Sequence, residues 1–316
     1  MKILLILIFQ VLLFSQTIDD NKTNGNSSFL EESLEFGEGF RDYISQRVIY
    51  FSTNIDNYLS DTPDNKIYNN QTYVHLEQSY EKNQGKSIDG ATKFRLRLKL
   101  PKLEEKYNLE IWNTKDNSDK SNDLRIDDPK NNQGVNAGIS YAKKLKEYLN
   151  FTSGLGIKIN LNRFEPFAKA AISKQINTSY DWIVDLSERI YISDKNGFDT
   201  TSSFEIYKIY NEVYKISTYN EYYWNEQIRN DNIYNSLRLY QELSEKTYLS
   251  YVISTTSNNN DSDMQVKTYQ AYVSYRYYIK KWIYYDIIPK FSRERVNDFD
   301  SNFGIQINFG MFFGKK

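Results

Sequence analysis

Two hydrophobic periodicities run along this chain, and the change from one to the other divides it. Phe40, Ile44, Val48, Phe51, Ile55 and Leu59 recur at spacings of three and four, which places them on one face of a helix. Arg41, Asp42, Arg47 and Asp56 fall largely off that stripe. The pattern predicts a helix over 38–60, loosened at its start by Gly37 and Gly39 and ended before Pro63. The polar stretch 17–35 in front of it reads as flexible.

From about Ile67 to Phe313 the period becomes two. In the last segment Phe303, Ile305, Ile307, Phe309, Met311 and Phe313 alternate with Gly304, Gln306, Asn308, Gly310 and Phe312. Successive side chains of a strand point to opposite faces, so one face here is wholly apolar. Segment 93–100 shows the same alternation with charge, Phe94, Leu96, Leu98 and Leu100 against Lys93, Arg95, Arg97 and Lys99. Similar segments recur around residues 135–141, 149–160 and 269–279. Polar connections separate them, and short and long ones broadly alternate. The breaks near Arg163 and Val213 are weak, so the pattern gives 12–14 strands.

The segments of roughly 10 to 15 residues exceed the usual strand of about 5 or 6 in globular sheets. A tilted strand needs about 9 to 11 residues to cross a bilayer. Tyr and Trp gather near segment ends, at Tyr107 and Trp112, Tyr222 to Trp224, and Tyr277 to Trp282, as interfacial positions favour. These features predict an all-β fold, a transmembrane antiparallel up-and-down β-barrel preceded by a short amphipathic helix. In a bilayer the apolar face must meet lipid and the polar face must line the interior. The expected pore-lining residues are then Lys93, Arg95, Arg97, Lys99, Glu110, Lys158, Arg189, Arg238, Arg276 and Asp286. A lumen laced with ion pairs and an anion-favouring basic stripe at Arg95 and Arg97 both fit that set.

The first residues, MKILLILIFQVLLFSQ, carry Lys2, an apolar core of about a dozen residues and the small Ser15, the form of a signal peptide. The expected organisation is a signal peptide over 1–15, a periplasmic segment over 16–65 and an outer-membrane barrel over 66–316. The expected partners are outer-membrane lipid and the barrel-assembly machinery during biogenesis. The Phe40 to Leu59 stripe is a candidate for self-association or for a periplasmic protein.

Composition narrows the chemistry. Lys and Arg number 40 against 41 Asp and Glu, which gives no electrostatic case for nucleic acid. There is no cysteine and one histidine, so a transition-metal site is not expected, and Asp123, Asp127 and Asp128 lack calcium-loop spacing. No phosphate-binding or dinucleotide motif is present, and no cofactor is expected. His75, Glu77 and Ser79 share a strand face, but neighbours on one face point in parallel about 7 Å apart, whereas a triad needs hydrogen-bond reach. No catalytic residue is assigned. The expected function is a non-enzymatic pore for small solutes. The alternatives are a closed-lumen interaction protein and, behind it, a lipid-active enzyme.

Two resemblances carry weight beyond periodicity. The terminal Asn308-Phe309-Gly310-Met311-Phe312-Phe313 resembles the C-terminal recognition signal of bacterial outer-membrane proteins, departing from it by the added Gly314-Lys315-Lys316. Ile55-Asp56-Asn57-Tyr58-Leu59-Ser60-Asp61, with Phe94-Arg95-Leu96-Arg97-Leu98-Lys99-Leu100-Pro101-Lys102-Leu103, resembles a group of uncharacterised proteobacterial outer-membrane barrels. That resemblance implies the fold and brings no activity.

Overall fold

The computed structural model describes residues 26–59, 72–99, 107–112, 135–146, 148–160, 163–194, 197–211, 213–227, 230–259 and 263–314. The expected signal peptide lies outside them. Among the described residues one helix, α1 (Asn26–Leu59), precedes the sheet. The first strands are β1 (Tyr73–Asn83), β2 (Ile88–Lys99), β3 (Tyr107–Trp112), β4 (Val135–Lys146) and β5 (Leu149–Asn160). Then come β6 (Arg163–Asn177), β7 (Ile183–Ser193), β8 (Gly197–Tyr210), β9 (Tyr214–Asn225) and β10 (Asn230–Ser244). The last are β11 (Thr247–Asn258), β12 (Gln265–Lys280), β13 (Ile283–Glu294) and β14 (Ser301–Gly314).

Every strand pairs antiparallel with its sequence neighbours, and β1 pairs with β14 from Tyr73 opposite Gly314 to Asn83 opposite Gly304. The sheet therefore closes on itself and leaves no unpaired edge. Fourteen strands are present, the upper end of the expected range. The weak breaks do separate strands: β5 ends at Asn160 and β6 begins at Arg163, and β8 ends at Tyr210 and β9 begins at Tyr214. Asn211 takes a left-handed backbone at φ 50° there, a conformation that Asn tolerates and most residues do not. Among the connections opposite the termini, 113–134 is the long one.

The two faces carry opposite chemistry. On β5, Leu155, Ile157 and Ile159 are exposed, whereas Gly154 is buried and Gly156 and Lys158 are partly covered. On β14, Phe303, Ile305 and Phe309 are exposed while Gln306 and Asn308 are buried. Buried residues are mainly polar, including Glu77, Ser79, Glu165, Glu205, Ser217 and Asp286. Apolar side chains outside and polar side chains inside invert the arrangement of a soluble protein and match a barrel solvated by hydrocarbon. No helix among the described residues is long and apolar enough to cross a membrane.

The helix corrects the expectation in two respects. It starts at Asn26, not at 38, and runs through Gly37 and Gly39 without a break. Helix-favouring Leu and Glu in the preceding segment extend it, and Gly37 lies beside the Trp282 ring, where an added Cβ would make ordinary contact at 3.6 Å.

The helix lies along the barrel end that holds both chain ends, against β14, β1 and β2. Glu38 pairs with Lys280 at the end of β12 (3.0 Å), and Ser52 reaches the end of β2. The helical rise between those residues is about 21 Å, close to the roughly 19 Å of four strand spacings. The helix thus follows the rim across the strands.

The docked face is also rotated from the predicted stripe. Ser45 and Ser52 are buried, while Phe51, Tyr43 and Tyr50 are exposed. The rim explains the rotation, because strand ends leave backbone groups without ladder partners. The Ser52 hydroxyl donates to the Lys99 carbonyl (2.9 Å), and the Gly314 N–H donates to Ser45 Oγ (2.7 Å). Phe40 still packs edge-on against Phe313, with ring centroids 6.3 Å apart. Ile44, Val48 and Ile55 are half-buried, and the Leu59 side chain lies outside the described residues.

Candidate functional site

The interior of the barrel gathers the charged residues. Strand register sends Lys93, Arg95, Arg97 and Lys99 inward from β2, Glu110 from β3 and Lys158 from β5. It does the same for Arg189 on β7, Arg238 on β10, Arg276 on β12 and Asp286 on β13. All ten residues expected at the pore lie on this face.

The basic stripe of β2 is flanked by acids because its neighbours are in register with it. Glu77 on β1 stands opposite Lys93, and Glu110 on β3 stands opposite Arg97. Lys93 pairs with Glu77 at 3.1 Å, and Arg95 and Arg97 both reach Glu110 at 3.3 Å. Arg276 grips Asp286 through two nitrogens at 2.6 and 2.8 Å, a bidentate arrangement that fixes both side chains. Asn308 donates to the same carboxylate at 3.2 Å, and Gln306 donates to Asn308 at 2.8 Å. Arg189 donates to Thr201 at 2.7 Å.

Acid and base are not equally placed within these pairs. The Arg97 side chain is 39% exposed and its partner Glu110 9%. Lys215 is 31% exposed against 4% for Glu205, and Arg276 37% against 2% for Asp286. Short carboxylates stay close to the wall, while longer basic side chains extend past them and carry their charge toward the axis. In these three pairs the base is the more accessible partner, whereas Lys290 and Glu81 are covered alike, at 9% and 10%. Arg238 is an exception. It points inward but is fully buried, with its guanidinium 4.8 Å from the Tyr219 ring centroid, so it presents no surface to water.

His75 does not form a triad. Its Nε2 bonds the Tyr284 hydroxyl at 2.9 Å, and that hydroxyl donates to Glu77 at 2.7 Å. With the tyrosine proton directed at the carboxylate, the histidine must be the donor. The ring also stacks on Phe312, with centroids 4.2 Å apart. Ser79 lies 3.5 Å from Glu77, and its hydroxyl is directed at that carboxylate. This is a cross-strand network tying β1 to β13 and β14 where the barrel closes.

Two further inner pairs, Lys215 with Glu205 and Lys290 with Glu81, do not stand out from the sequence pattern. Their position on the polar side of the alternation is the one signal for them. Tyr284 has none, because the 207 positions between it and Glu77 close only through the barrel seam. Among the described residues no group of His, Cys, Asp and Glu is placed to hold a metal ion.

This fold defines a class, the outer-membrane β-barrels, and comparison with solved structures agrees. The chain is similar in fold to OprB of Pseudomonas putida, with a TM-score of 0.51 at 9% identity over 77% of this chain and 93% of that one. The outer membrane channel DcaP of Acinetobacter baumannii aligns with a TM-score of 0.47 at 11% identity, over 78% of this chain and 96% of that one. No family model and no curated protein matches the sequence.

Proposed function

We propose that the protein is a water-filled pore for small solutes in the outer membrane, with a preference for anions and with both chain ends and α1 on the periplasmic side. The observation that carries this reading is the asymmetry of the inner pairs Arg97–Glu110, Lys215–Glu205 and Arg276–Asp286, in which the base is the more exposed partner. Such a surface attracts anions although the formal charges nearly cancel. Strand number leaves room for a lumen, since eight strands hold side chains alone and this barrel has fourteen, although Val252, Tyr272 and Ile288 pack together on the inner side of β11 to β13. The reading is non-enzymatic, since His75 is committed to Tyr284 and Phe312. The folded protein added to planar bilayers is expected to give discrete conductance steps. Folded, inserted protein that gives none would overturn the proposal.

A second reading is favoured by Tyr43, Tyr50 and Phe51, which remain exposed on α1. In it the helix docks a periplasmic protein and the barrel serves as its anchor. Phe51→Asp should then release the partner from the purified complex while leaving the barrel folded. A complex that survives the substitution counts against this role.

A further inference from the structure

The rule that sends polar side chains inward breaks at mid-strand in more than one place. On β1 the outward Gln78 accepts from Thr92 opposite it and donates to the Ser79 carbonyl, so its polar groups are met within the chain, but one wall differs. On β7 and β8, Glu188 stands opposite Ser202 and beside Ile172 on the outward face, and the Ser202 hydroxyl donates to the Glu188 carboxylate. On β9 and β10, Asn220 stands opposite Asn235, also outward, and Asn220 donates to Thr218 at 3.3 Å. Glu188 lies halfway along β7 (Ile183–Ser193), and so at mid-depth of a membrane-spanning strand. The wall is dented here: a concavity of about 690 Å³ is lined by Glu188, Ser202, Asn220 and Asn235 with Leu186, Phe204 and Lys174, whose ammonium lies over the Tyr148 ring, 5.7 Å from its centroid.

A carboxylate and two amides at mid-depth have no water to bond them, and hydrocarbon supplies no donor or acceptor. Lipid headgroups do not reach them, because half of a hydrocarbon core is about 15 Å thick. We propose that this wall is covered by a second copy of the same chain. Copies inserted with the same orientation are related about the membrane normal, so mid-depth residues of one face mid-depth residues of the other. The Glu188 carboxylate accepts, the hydroxyls and amides both donate and accept, and the same patch on a neighbour supplies what each lacks. Interhelical polar groups act in this manner within membranes, and the chemistry does not depend on the backbone. The wall from β6 to β10 is about 19 Å wide and 36 Å tall by strand geometry, so about 700 Å² per copy. That is near the roughly 800 Å² per partner of stable interfaces.

The chain has no cysteine, which makes the test direct. Asn235→Cys on the polar wall and Ile305→Cys on the outward face of β14 are each treated with a short bis-maleimide in outer membranes. The expected result is a band at twice the chain mass from N235C and none from I305C. No such band from N235C, an equal band from both, or a cross-link to a different protein would overturn the proposal. In detergent, light scattering should find the wild type as an oligomer and the folded triple variant Glu188→Leu, Asn220→Leu, Asn235→Leu as a monomer. A monomeric wild type, or an oligomeric triple variant, would contradict it. If the triple variant does not fold, the two cysteine variants still decide the question.

Discussion

The wall of β12, β13 and β14 and the wall of β7 to β10 share one hydrogen-bond ladder but ask different things of their surroundings. On the first, the outward side chains at mid-strand are Val273, Ile287 and Ile307, with Pro289, Ile305 and Phe309 beside them. On the second, Glu188, Ser202, Asn220 and Asn235 occupy the comparable positions. Their inward faces differ less: Arg276 with Asp286 on one and Lys215 with Glu205 on the other. Closing a barrel requires that side chains alternate, and both walls do so. It does not require that each outward position suit hydrocarbon. A departure that the fold does not need is therefore the place to look for a binding partner.

Substitutions on the two walls should sharpen this contrast. The largest effect is expected inside the apolar wall. Arg276→Ala leaves the Asp286 carboxylate buried with Asn308 as its remaining described partner, and breaking a buried pair in this way costs about 3 to 5 kcal/mol. Urea titration of the barrel folded into vesicles reads that loss. On the outside of the same wall, Ile307→Lys should cost about 2 to 4 kcal/mol, the penalty of a cation at the bilayer midplane. The same titration on Asn235→Lys should give less than half of it, and equal costs would erase the distinction between the walls. Gly310 faces Tyr284 so closely that a Cβ would run into the ring. Gly310→Ala should cost about 1 to 3 kcal/mol through overpacking and displace the tyrosine from Glu77 and His75, visible in near-ultraviolet circular dichroism. Glu188→Leu should raise the stability of the single barrel by about 1 kcal/mol, because it takes a carboxylate out of hydrocarbon and forfeits one hydrogen bond, from Ser202.

Much of this organisation is legible in the sequence. Period two fixes which residues share a face, so Lys93 to Lys99 fall together on the polar side, and Phe303, Ile305 and Phe309 identify a lipid-facing strand. The acids beside the basic stripe are not legible in that way, because pairing Glu77 and Glu110 with β2 requires the register of neighbouring strands. Glu188 is readable in principle: Leu186, Glu188 and Ile190 form one face against Ser187, Arg189 and Tyr191. An eye that expects outward positions to be apolar attends to Arg189 and passes over its neighbour. The rotation of α1 is not readable, since it answers to backbone groups at the rim of a barrel whose end geometry is set by distant residues. The closure network of His75, Tyr284 and Glu77 is hidden for the same reason.

The proposed anion preference rests most heavily on the bases that stand more exposed than their acidic partners, Arg97 among them. The measurement that reaches it directly is the reversal potential of the wild-type protein in a planar bilayer under a tenfold gradient of potassium chloride. An anion-selective potential is predicted, shifting toward neutrality when Arg97 is replaced by Glu. A cation-selective wild type, or one whose selectivity ignores that replacement, would contradict it.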